Sequence, residues 1–171
     1  MTSPRWLDAD EQRVWRAYLT VTRLLAAELD RELQQQSGIP HTYYEILVRL
    51  SEAPGRVLRM SDLANAAESS RSRLSHAVAR LEEAGWVHRE TCPTDRRGSF
   101  ARLTADGYAA LEAAAPAHVE SVRRHLLDRL TPEQVRQLGE ISQAVLGGLR
   151  PGEDDPETYE HRLDAPHPEA S

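Results

Sequence analysis

Between Ser69 and Thr104 one helical segment carries two stripes and is followed by a basic hairpin, a combination that few folds accommodate. Leu74, Val78 and Leu81 recur at i, i+4 and i+7 and form an apolar stripe that must pack inward. Arg73, His76 and Arg80 recur at i, i+3 and i+7 on another face, which is left for solvent or a partner. Ser69 and Ser70 are good N-caps and Gly85 is a typical residue just past a helix end, so the spacing predicts a helix over about residues 70–84. Trp86 to Cys92 reads as a strand and Ser99 to Leu103 as its return partner. Pro93 to Gly98, with Asp95, Arg96 and Arg97, is then the loop at the tip.

The segment before this helix completes a motif. Ser61 caps a short helix through Ala67 with Leu63 and Ala64 inward, and Glu68 to Ser70 is just long enough to turn into the next helix. Short helix, turn and longer basic helix is the helix-turn-helix order, in which the N-terminal residues of the second helix reach base edges in the major groove. Arginine suits that task because its planar fork donates two hydrogen bonds to guanine. Arg97 at the tip is placed to enter an adjacent minor groove, and Asp95 reads as a brace for the wing, since phosphate repels a carboxylate. Taken alone, the Arg73, His76 and Arg80 stripe is an ordinary solvated face. The hairpin and the preceding short helix favour DNA.

At this point the residues resemble a known family. Asp95, Arg97, Leu103 and Thr104 match the Asp-x-Arg-x-x-x-x-x-Leu-Thr wing signature of the multiple-antibiotic-resistance regulator (MarR) family, and Gly107 follows where that family commonly has glycine. The resemblance spans about residues 8–149. It implies a homodimeric winged-helix transcription factor, usually a repressor, whose DNA affinity often falls when a small molecule, metal or oxidant binds. By position it implies a recognition surface of Ser70, Arg71, Arg73, Ser75, His76 and Arg80, with Arg97 as the wing-tip contact.

The flanking segments predict a mainly α fold with a small β wing, in which a winged helix-turn-helix is bracketed by terminal dimerisation helices. Asp8 to Gln36 carries Trp15, Tyr18, Leu19, Thr22, Leu25, Leu29 and Leu33 at alternating three and four spacing, with Gly38 as a stop. Thr42 to Ser51 is a second helix with Thr42 and Glu45 at capping-box spacing, and Val57 to Arg59 a short strand pairing with the wing. A helix from Thr104 toward Asp128 is expected to be interrupted or kinked at Pro116. Thr131, Pro132, Glu133 and Gln134 open the last helix, whose apolar set is Val135, Leu138, Ile141, Val145 and Leu149. Residues 1–150 are read as one unit, with the winged helix at about 42–104 and dimerisation helices at about 8–38 and 105–149. The terminal stripes need a second chain to bury them, and a C2 dimer would present two recognition helices to successive major grooves of a pseudopalindrome.

Charge distribution fits this reading better than the net charge of −6 does. Residues 151–171 hold seven acidic residues against one arginine, so this acidic tail carries the whole imbalance and has disorder as its default state. Residues 69–102 hold seven arginines against four acids, and a local field is what steers a polyanion. No run approaches the roughly 18 apolar residues of a membrane span, and Met1 to Asp10 lacks a signal-peptide apolar stretch. With a single cysteine, the chain is placed in the reducing cytoplasm.

Other chemistry is thinly represented. His118 and His125 are seven residues apart, about 10 Å along a helix, too far to share an ion, and no metal or cofactor is expected. Cys92 lies near Arg89 and Arg96, where a redox role competes with that of a small apolar strand residue. No phosphate loop, nucleophile elbow or metalloprotease motif appears, so no enzyme is expected. Trp15, Tyr18, His41 and Tyr43 place aromatic and polar tips where a small aromatic effector would sit between the dimer and DNA-binding regions, or else pack as core. The function expected is a ligand-responsive repressor that binds double-stranded DNA as a homodimer; the alternative is a winged-helix dimer acting as a protein-interaction scaffold without sequence-specific DNA binding.

Overall fold

A computed structural model of the chain describes residues 3–91 and 99–149. Asp95, Arg97 and Cys92 therefore lie outside the described residues. The order is α1 (Ala9–Ser37), α2 (His41–Glu52), β1 (Val57–Arg59), α3 (Met60–Ala66), α4 (Arg71–Glu83), β2 (Val87–Thr91), β3 (Ser99–Leu103), α5 (Ala105–His125) and α6 (Pro132–Leu149). The fold is mainly helical, with one three-stranded antiparallel sheet in the order β1-β3-β2. Pairing of Val57 with Arg102 and of Val87 with Leu103 makes β3 the central strand, so the short strand joins the wing as expected.

The predicted helices form close to their predicted ends, with local chemistry that explains them. Asp8 caps α1 through a full capping box with Glu11, and Gly38 at φ 70° closes it in the left-handed conformation. Thr131 and Gln134 exchange the reciprocal hydrogen bonds of a second capping box at the start of α6. Two expected caps do not form. α2 begins at His41 with no side-chain cap, because the His41 N–H donates to the Asp30 carboxylate on α1 at 2.8 Å and makes a Thr42 and Glu45 box unnecessary. α3 begins at Met60 directly off β1, which puts Ser61 inside the helix with its hydroxyl turned to Asp62. Nor does Pro116 interrupt α5, which runs unbroken from Ala105 to His125. Packing of α5 against both α1 and α2 offsets the roughly 3 kcal/mol that an interior proline costs.

The core gathers where α2 meets α1, α3, α4, α5 and β3. Leu47, Leu50, Leu63, Val78, Leu81 and Ala101 are wholly buried there. Burial of Leu74, Ala77, Val78 and Leu81 fixes the rotation of α4 and turns its polar side outward. The two terminal helices are different. Leu33 is buried, but Trp15, Tyr18, Leu19, Val21 and Leu24 on the outer half of α1 and Val135, Leu138, Ile141, Val145 and Leu149 on α6 are all exposed in the single chain.

Candidate nucleic-acid interface

The candidate surface is the outer face of α4. Ser70 sits at its N-cap and accepts a hydrogen bond from the Arg73 N–H at 3.3 Å, which fixes the first turn. At the other end Gly85, at φ 75°, lets the Trp86 N–H return to the Leu81 carbonyl at 2.9 Å and sends the chain straight into β2. Between these ends Arg71, Arg73, Ser75, His76 and Arg80 are exposed. At about 100° per residue, Arg73, His76 and Arg80 line one edge of the outer arc and Arg71 and Ser75 the other. Arg71, Arg73 and His76 have no ion-pair partner among the described residues. Arg80 differs: its guanidinium is 2.8 Å from Glu83, whose hydrogen bond and charge raise the arginine's pKa further. A phosphate reaching Arg80 must compete with that carboxylate.

Sequence reasoning did not foresee what ties the wing to this helix. The Glu82 carboxylate accepts the Arg89 backbone N–H at 3.0 Å and lies 3.3 Å from the Arg89 guanidinium, which donates in turn to the Ser75 carbonyl at 2.5 Å. One arginine on β2 thus grips α4 at two levels. Charge complementarity across the Gly85 turn was the available signal, but spacing alone does not show which acid faces which base. On the opposite side of the wing Arg102 pairs with Glu90, whose pKa the Arg102 hydrogen bond lowers.

The root of the wing explains the Leu103, Thr104 and Gly107 spacing. The Thr104 N–H donates to the Trp86 carbonyl at 3.0 Å, its hydroxyl donates to the Gly85 carbonyl at 2.7 Å, and the Gly107 N–H donates to that hydroxyl at 3.0 Å. A side chain at position 107 would strike the Trp86 carbonyl, so glycine is what lets α5 start against β2.

Residues 37–98 match the profile of the MarR family. Over 119 residues the chain is 30% identical to the transcriptional regulator HosA of Escherichia coli O111:H-, covering 70% of this chain and 86% of HosA. The chain belongs to the MarR family. It is similar to two solved MarR family transcriptional regulators of Streptomyces coelicolor. Sco3205, crystallised in complex with DNA, is 57% identical with a TM-score of 0.84 over 90% of this chain and 96% of its own. AbsC is 47% identical with a TM-score of 0.79 over 86% of this chain and 99% of its own. The protein is thus a MarR transcriptional regulator, of a non-enzymatic family, and no helix among the described residues is long and apolar enough to cross a membrane.

The four residues expected to form an effector site fall into separate places within this MarR chain. Trp15 and Tyr18 stack with ring centroids 6.4 Å apart on the exposed half of α1. His41 lies at the start of α2 beside Asp30, and the twelve residues from Tyr18 to Asp30 amount to about 18 Å of helix. Tyr43 packs against the core. His41 instead lies against His118, at 5.4 Å between ring centroids, and the Tyr44 ring is also close to His118, at 4.6 Å. Burial of His118, helped by His41, holds its pKa below the usual imidazole value, and burial raises that of the Tyr44 phenol.

Proposed function

We propose that this MarR regulator is a homodimeric repressor that reads a pseudopalindromic duplex with α4 and steadies it with the wing. The observation that carries the reading is the capped α4 helix, whose buried stripe turns Arg71, Arg73, Ser75 and His76 to solvent as a set. Ser70 and Arg80 flank that set as backbone-positioning contacts, and Arg97, with Asp95 as its brace, takes the minor groove. The 57% identical Sco3205, crystallised with DNA, supports the assignment. The exposed apolar faces of α1 and α6 support a second copy as the partner, since together they are too extensive for a lone soluble domain. On this reading residues 42–104 are the DNA-binding unit and residues 8–38 and 105–149 the dimerising arms. A small aromatic effector fits the proposal only across copies, with Trp15 and Tyr18 of one chain brought to His41 and Tyr43 of the other.

Selection from random duplexes tests the proposal. An enriched palindromic site is expected, with affinity falling steeply with salt as arginines displace counterions. Arg73→Ala is expected to cost about 1–3 kcal/mol per half-site and to relax base preference. Absence of any enriched site, with the protein folded and dimeric, would replace this reading by the scaffold alternative.

A further inference from the structure

We infer that the seam between α1 and α5 holds a binding site for one divalent first-row cation of the zinc type, with Glu28, Glu32 and His125 as its protein ligands. Glu28 and Glu32 are one turn apart on α1, and His125 closes α5 at the far end from the wing root. One ligand atom from each lies within 4.8 Å of the other two. Glu32 is buried, its side chain retaining 10% of its accessible surface, while Glu28 and His125 are half-buried. His125 Nε2 is 3.0 Å from Glu32 Oε1. Two ligands about 2.1 Å from a tetrahedral ion stand about 3.4 Å apart, so this pair needs a few tenths of an ångström to open around one.

The surroundings show a cluster already built to hold positive charge. Arg31 donates to both Glu28 carboxylate oxygens and its guanidinium lies 3.7 Å from Glu32 Oε1, so one cation now bridges the two carboxylates and must be displaced from Glu28 by an incoming ion. The Arg31 side chain is half exposed and already has a second acceptor, Gln35 Oε1 at 2.9 Å, so it can release Glu28 without being stranded. Arg124 sits 3.4 Å from the other Glu32 oxygen, Oε2, which also accepts the Ser121 hydroxyl. Oε1 faces His125 with Arg31 as its other neighbour, and the Ser121 bond to Oε2 holds the carboxylate in that orientation, as an outer-shell partner does for a metal ligand. Two carboxylate oxygens and an imidazole nitrogen, with a fourth position open to water, suit zinc better than magnesium or calcium, which favour all-oxygen sets. The guanidinium is the competitor that sets the affinity.

Zinc chloride titrated into the full-length, chelator-stripped, untagged protein against a chromophoric chelator reads the site directly and does not depend on DNA binding. One zinc per chain is expected, with a rise in melting temperature on loading. Glu28→Gln and His125→Gln are each expected to weaken binding at least about tenfold. Arg31→Gln, which removes the competing cation and both ligating neighbours' pairing with it, is expected to tighten binding, and it serves as the deciding variant if either ligand change prevents folding. Wild-type protein that takes up no zinc overturns the inference. So does uptake unchanged in both ligand variants, or zinc affinity unaltered by Arg31→Gln.

Discussion

Replacing Gly107 with alanine isolates the contact that seats the wing on the rest of the domain. The added Cβ would lie 2.1 Å from the Trp86 carbonyl oxygen and 2.9 Å from Leu103 Cδ1. A carbonyl cannot rotate away as a side chain can, and this one accepts the Thr104 N–H at 3.0 Å. Relief therefore requires the start of β2 and the first turn of α5 to part by about 1 Å, an overpacking cost of roughly 1–3 kcal/mol. Loosening the Thr104 bond adds about 1 kcal/mol. Against this stands alanine's better helix propensity, at most about 1 kcal/mol and less in a first turn. The net loss is about 1–3 kcal/mol, and at about 2–4 °C for each kcal/mol the melting point should fall by about 2–12 °C. Denaturation of both proteins at one fixed concentration measures it, since the proposed self-association would make melting depend on concentration. A variant that melts at or above the wild-type temperature would show that the wing root yields freely and that the glycine is not required by this contact.

Three other outcomes follow from single features. Arg89→Ala should weaken operator binding several-fold while costing only about 1–2 kcal/mol of stability, because it frees the wing from α4; equal affinity in a filter-binding assay would dissociate the brace from function. If the exposed α6 face is the proposed dimer interface, Ile141→Asp at its centre should leave the chain monomeric in sedimentation equilibrium where the unsubstituted chain dimerises, and a variant that still dimerises would place the interface elsewhere. His118, whose pKa is held below its unfolded value of 6.5, binds fewer protons folded than unfolded, so it contributes stability above about pH 6.5 that is lost as pH falls from there toward the folded-state value. Denaturant titrations from pH 7.5 to 5 should show that slope flatten in His118→Gln, about 1.4 kcal/mol being lost per unit of pKa shift, and an unchanged slope would assign it to another group.

What the sequence by itself determined is the set of features carried by neighbouring residues. Helical periodicity, the Ser70 cap and Gly85 specified α4 to within a residue at each end, and with it which side chains face outward. The Thr131 and Gln134 box and the Val57 strand were legible for the same reason, since a cap or a strand is encoded over a few positions. The wing signature carried the family. Tertiary structure decided what depends on distant partners. Asp30, eleven residues upstream, supplies the His41 N–H with an acceptor that no capping pattern shows. Packing on α1 and α2 carries α5 through Pro116 against its local preference. Glu32 meets His125 across 93 positions, and Trp15 parts from His41 because a straight helix separates residues that a list of aromatics groups together. Periodicity states which face a residue occupies. Only the packing of the helices states what that face meets.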